Sequence, residues 1–181
     1  MDNHETKIII AGFGGQGVVL AGALIARACI YEGLNVTDMV SYGAEMRGGT
    51  ANSTIVISSG QITSPVVEEP DMAIILNQPS LDRFEDKLVE NGLVVLNSTL
   101  VKRKVRRHNV EVLKVEATQT AQELGNARVA NVVALGAFAQ KTKLLKLESL
   151  SQAIEEQFLQ KKARLVDINK KALQIGAQLV P

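Results

Sequence analysis

Lys7-Ile8-Ile9-Ile10-Ala11-Gly12-Phe13-Gly14-Gly15-Gln16-Gly17 is a short apolar run that ends in four closely spaced glycines. It leads directly into Val18 to Glu32, rich in Ala and Leu with helical periodicity, which stops at Gly33. This reads as strand, glycine turn and helix. Asn35 to Met39 supplies the next strand, so a βαβ unit with a right-handed crossover is expected. Glycines permit positive φ and let the N–H groups at a helix N-terminus face an anion with no Cβ in the way. Asp38 follows about twenty residues later, where a dinucleotide ribose would be held. On these residues alone three readings stay open: a dinucleotide, another anionic ligand, or close packing of helix against strand.

Asn52 to Ser58 and Gln61 to Ser64 flank Ser59-Gly60, a two-residue hairpin signal. Met72 to Asn77 is another apolar strand, and Pro79 suits the first turn of a helix reaching about Val89. Asn91-Gly92 is a turn, Leu93 to Asn97 a buried strand and Val110 to Val115 one more, with Thr118 as cap of the helix after it. Ala127 to Lys141, Leu150 to Lys162 with Ser149 as cap, and Asp167 to Leu179 read as helices.

The hydrophobic share of 46% comes almost wholly from aliphatics, with two Tyr, four Phe and no Trp. That is the palette of a parallel sheet covered by helices. The expected fold is α/β and three-layered: a mostly parallel, mixed sheet flanked by helices, with a Rossmann-like first βαβ unit. The 181 residues suit one domain, 1–181. A formal charge of +1 gives no long-range field for nucleic acid or anionic membrane. One cysteine, Cys29, closes no internal disulfide and holds no four-cysteine cluster; it is expected as a small core residue. The first residues lack signal-peptide character and no apolar run reaches the ~18 residues of a membrane span, so a cytoplasmic location is expected.

Ser41-Tyr42-Gly43-Ala44-Glu45-Met46-Arg47-Gly48-Gly49-Thr50-Ala51-Asn52 places a phenol, an acid and a guanidinium within six residues, on a loop with three glycines. The loop follows a strand of the same unit and is expected near the first glycine loop, at the carboxyl edge where open α/β sheets place their sites. Here the chain resembles the gamma subunits, or gamma domains, of 2-oxoacid:ferredoxin oxidoreductases. The matching residues are Gly12 to Gly17 with Gln16, Val18, Ala21 and Gly22; Tyr42-Gly43 and Glu45 to Asn52; Ile62 to Pro65; Asn77-Gln78-Pro79-Ser80; and Asn131 with Gly136. The variant is most similar to the 2-oxoglutarate type, with pyruvate and branched-chain 2-oxoacid (ketoisovalerate) types next. Ala44 stands where that type usually has Pro, and Ser53 where Cys is common.

The resemblance implies CoA-dependent oxidative decarboxylation of a 2-oxoacid to acyl-CoA, carbon dioxide and reduced ferredoxin. It places thiamine diphosphate, magnesium and 4Fe–4S clusters in alpha, beta and ferredoxin-like delta subunits, with none in this chain. It implies a cofactor-binding or partner-facing loop at Gly12, Gly14, Gly15, Gln16 and Gly17. A substrate, coenzyme A or subunit surface is implied at Tyr42, Glu45, Met46, Arg47, Gly48, Gly49 and Thr50. Arg47 suits a bidentate carboxylate or phosphate contact, or an internal brace with Glu45. No residue is assigned catalysis or a metal. Asn131 is expected as a buried amide that fixes a loop, and Lys102, Arg103, Lys104, Arg106 and Arg107 as a solvated strand or loop. The isolated chain is expected to pair with itself through the surface meant for partners. Two other classes fit the glycine turn: a free-standing NAD enzyme using Gly12, Gly14, Gly17 and Asp38, and an interaction module without a complex.

Overall fold

The computed structural model describes residues 5–42, 50–159 and 163–181. In chain order the elements are β1 (Glu5–Phe13), α1 (Val18–Tyr31), β2 (Asn35–Tyr42), β3 (Thr50–Ser58), β4 (Met72–Ile75), α2 (Gln78–Phe84), β5 (Leu93–Asn97) and β6 (Glu111–Val115). Four helices complete the chain: α3 (Ala117–Glu123), α4 (Ala130–Thr142), α5 (Leu147–Phe158) and α6 (Ala163–Gln178).

The strands form one sheet in the order β2-β3-β1-β4-β5-β6. β1, β4, β5 and β6 are parallel neighbours, while β3 runs antiparallel between β1 and β2. The sheet is therefore mixed and mostly parallel, as the aliphatic palette implied. Two details differ from the expectation. The βαβ unit is split, because β3 lies between its two strands. β3 also finds its hairpin partner in β2; residues 61–64 form no strand. Instead Glu5 accepts from the Thr63 N–H at 2.6 Å, and Asn35 donates to the Gly60 carbonyl at 2.9 Å. The insertion explains why β1 outruns the expected Lys7 to Ala11: β3 offers it a full-length partner, from Glu5 opposite Ser58 to Phe13 opposite Thr50.

Side chains alternate across a strand, so β1 feeds two cores. Ile8 and Ile10 meet Leu24 and Ile25 of α1, Leu135 and Phe138 of α4, and Ile154 of α5. Ile9 and Ala11 meet Leu81 and Phe84 of α2 on the other face. Phe138, Leu24 and Leu135 are fully buried, each worth roughly 1.5–3 kcal/mol. α4 and α6 cross at contact distance: a Cβ on Gly136 would lie 2.0 Å from the Leu173 carbonyl oxygen, and one on Gly176 2.0 Å from that of Val133. Cys29 is a buried core residue, and burial, with the Glu32 carboxylate adding, pushes its thiol up to about 12. No helix among the described residues is long and apolar enough to cross a membrane.

The basic segment is a loop with Lys102, Lys104 and Arg106 exposed, as expected, but Arg103 and Arg107 are half-buried and the loop is anchored. Along 101–108 odd residues point inward and even ones outward. Arg103 and Arg106 both reach the Glu85 carboxylate, at 2.6 and 2.7 Å, and Glu85 is only 1% exposed. Burial pulls that carboxyl upward, but hydrogen bonds from Arg103 and from the backbone and guanidinium of Arg106 outweigh it and hold it below its ordinary value. The connection from β5 to β6 is thus latched onto the end of α2. Thr118 and Ser149 are not caps; α3 begins at Ala117 and α5 at Leu147, upstream of each.

Candidate functional site at the carboxyl edge of the sheet

After β1 the chain turns onto the face of α1, and after β4 onto the face of α2. The two connections part at neighbouring strands, which is the switch point where open α/β sheets hold ligands. Gln16 spans the gap. Its Oε1 accepts from the Phe13 N–H at 2.6 Å and from Asn77 Nδ2 at 2.8 Å, and its Nε2 faces the Leu76 carbonyl at 3.4 Å. Asn77 in turn caps α2, accepting from the Ser80 N–H at 2.9 Å with Pro79 in the first turn. Asn97, at the end of β5, donates to the Leu76 carbonyl at 3.1 Å and to Thr118 Oγ1 at 2.9 Å. Three amides thereby fasten the glycine turn to the ends of β4 and β5.

Gly17 closes the turn in the left-handed region, φ 76, and caps α1 without a side chain. The first-turn amides of α1 therefore have no side-chain acceptor at the cap, a local field that favours an anion. The Gly17 carbonyl accepts from Asn131 Nδ2 at 2.9 Å. Asn131 is 1% exposed and fixes the glycine loop, as its place in an apolar helix implied. Beside the turn opens a cleft of about 190 Å³, lined by Gly15, Gln16, Leu76, Asn97, Leu100, Thr118 and Arg128 among others. Arg128 is exposed and has no carboxylate partner among the described residues. A larger hollow of about 410 Å³ lies at the opposite edge, but Glu5, Glu68, Glu69 and Asp71 line it and repel anions.

The two sequence motifs stand in different positions. Gly12, Gly14, Gly15, Gln16 and Gly17 form the turn just described. Of the second loop, Tyr42 ends β2 in register with Ala51, and Thr50 begins β3 opposite Phe13. The two ends of that loop thus border the end of β1. Glu45, Met46, Arg47, Gly48 and Gly49 lie outside the described residues. Thr50 Oγ1 accepts from Arg83 at 2.7 Å, which ties it to α2. Asp38 is not at this edge. It sits level with Ile55 and hence Ile8, roughly 16 Å below Phe13 at about 3.3 Å per residue. Its carboxylate accepts from Ser53 at 2.5 Å, with β3 separating it from β1. A ribose acid belongs beside the glycine turn, so this geometry disfavours an NAD site. Arg128, Asn97 and Thr118 were not assigned to the site from sequence, although Asn97 was read as a strand end and Thr118 as a cap; each is isolated in sequence and joins the others only through the parallel strand order.

The family described as pyruvate ferredoxin/flavodoxin oxidoreductase matches residues 7–179. The chain is 38% identical over 175 residues to the ketoisovalerate oxidoreductase subunit VorA of Methanothermobacter thermautotrophicus, covering 96% of this chain and 36% of that one. It thus spans about a third of that relative's length. A keto/oxoacid ferredoxin oxidoreductase gamma subunit from Geobacter sulfurreducens superposes with a TM-score of 0.85 at 32% identity, covering 97% of this chain and 95% of that one. A 2-oxoglutarate:ferredoxin oxidoreductase from Magnetococcus marinus, solved with 2-oxoglutarate, coenzyme A and succinyl-CoA bound, superposes with a TM-score of 0.88 at 25% identity. That match covers 97% of this chain and 31% of the other.

Proposed function

Because the chain belongs to the pyruvate ferredoxin/flavodoxin oxidoreductase family, we propose that it is the gamma subunit of a cytoplasmic, multi-subunit 2-oxoacid:ferredoxin oxidoreductase. The assembly would convert 2-oxoglutarate, pyruvate or a branched-chain 2-oxoacid, with coenzyme A, to acyl-CoA and carbon dioxide while reducing ferredoxin. Similarity along nearly the whole chain to a solved gamma subunit carries this reading.

The residues present do not fit an iron–sulfur cluster. Clusters are held by several thiolates, and this chain has one cysteine, buried, with its thiol pushed up to about 12. Cluster and thiamine chemistry belong, on this reading, to alpha, beta and ferredoxin-like delta partners. The chain's own contribution is the carboxyl edge. The first turn of α1, which has no side-chain cap, and the Arg128 guanidinium, without a carboxylate partner among the described residues, suit an anion, and coenzyme A and the 2-oxoacid are both anionic. Gln16, Asn77 and Asn97 keep that edge rigid, so the groups stand in place when a partner subunit completes the site.

The test is affinity purification of the tagged chain from its native source. Companion chains, one of them cluster-bearing, should come with it, and 2-oxoacid-dependent ferredoxin reduction should follow. A chain that emerges alone and binds NAD(H) tightly in calorimetry would overturn the assignment.

A further inference from the structure

On the sheet face opposite α1, α2 packs over β1 and β4. Beyond it, the end of α2 and residues 66–70 enclose a second cleft of about 250 Å³ whose floor is β2 and β3. It shares no lining residue with the cleft at the glycine turn.

Three features distinguish it. Asn52 lines it and is only 7% exposed, yet its carboxamide has no hydrogen-bond partner among the described residues. Its amide atoms are not sealed from solvent, so they open onto the cleft and can meet a group that enters it. Arg83 and Lys87 stand at the rim, stacked on the Phe84 ring at 5.2 and 5.7 Å from its centre. Neither forms an ion pair with a carboxylate among the described residues. Like charges four residues apart disfavour each other, and an anion between them relieves the conflict. The remaining lining is mixed, with Ser41, Thr54 and Glu68 beside an apolar side on which Met39 and Val66 are 46% and 53% exposed.

We propose that this cleft binds a small organic carboxylate with an apolar chain. Arg83 and Lys87 take the carboxylate, the Asn52 amide adds a third donor, and the chain lies against Met39 and Val66. Glu68 across the cleft disfavours a doubly charged anion, and the apolar wall offers nothing to a compact inorganic one. The site does not depend on the assignment of the glycine turn.

The test titrates the full ¹⁵N-labelled chain with 3-methylbutanoate and, separately, inorganic phosphate, following the Asn52 side-chain NH₂ and Arg83 Nε resonances. A saturable shift is expected with the carboxylate and binding weaker by about tenfold or more with phosphate. Asn52→Asp, which keeps the shape and adds a repelling charge, should abolish the shift of Arg83 Nε. Arg83→Met should weaken binding by about tenfold, while Arg83→Lys, which keeps the charge and guards against a folding artefact, should retain most of it. The proposal is overturned if the carboxylate gives no saturable shift, if phosphate binds as well, or if Asn52→Asp and Arg83→Met bind like the wild type.

Discussion

Replacing Gly17 with alanine tests the geometry of the glycine turn in one step. Gly17 sits at φ 76 and ψ 26, where an L-residue costs roughly 1–2 kcal/mol. A Cβ there would also lie 2.4 Å from Asn131 Nδ2 and 2.8 Å from Asn131 Cγ. Forcing a side chain into such a contact typically costs about 1–3 kcal/mol. Gly17→Ala should therefore lose about 2–5 kcal/mol of stability. In an Asn131→Ala background the contact is gone and only the backbone strain remains, so the same change should cost about 1–2 kcal/mol. Asn131→Ala alone gives up the bond to the Gly17 carbonyl but also removes an amide oxygen that is buried without a partner, limiting its cost to roughly 1 kcal/mol. Gly14, where an added methyl would meet nothing within 4 Å, should accept alanine within about 0.5 kcal/mol. Urea unfolding with a constant slope measures all of these. A Gly17→Ala variant as stable as wild type, or one whose penalty is undiminished without Asn131, would refute the proposed contact.

Two further perturbations read other parts of the fold. Gly136→Ala gains about 1 kcal/mol of helix propensity, yet its methyl would meet the Leu173 carbonyl at 2.0 Å and force α4 and α6 apart. A net loss of about 1–3 kcal/mol is expected, and a rise in the urea midpoint would contradict the close crossing. The Glu85 carboxyl is held below its ordinary value of 4.5 in the folded chain. Its contribution is therefore complete above pH 4.5 and fades as the pH falls through the lower folded value. Glu85→Gln should be about 1–3 kcal/mol less stable at neutral pH, since its arginine partners remain partly solvated, and should converge with wild type in acid. A stability difference that persists unchanged into acid would count against the latch.

The first strand, its glycine turn and α1 were legible because a single short stretch carries both periodicities and the breaks between them. Leu93 to Asn97 was legible for a related reason: a short run buried on both faces and bounded by a turn has few alternatives. β3 was not. Ala51, Asn52 and Ser53 are buried in succession, as are Ile55 to Ser58, so the strand lacks the alternation that marks antiparallel pairing. Ser59-Gly60 therefore looked like the hairpin that the chain makes elsewhere. The anchoring of the basic loop was hidden for a different reason. The carboxylate that holds Arg103 and Arg106 is Glu85, some twenty residues earlier, and no local pattern links them. Gln16 was visible as a candidate, but its partners, Asn77 and Leu76, become neighbours only through the parallel pairing of β1 with β4.

Hydrogen exchange on the purified assembly, compared with the free chain, probes most directly whether the carboxyl edge faces partner subunits. Peptides spanning 13–19 and 126–130 should gain protection in the assembly, while the β5–β6 connection around 102–108 should change little. Unaltered exchange at 13–19, with protection confined to the opposite edge of the sheet, would contradict that placement.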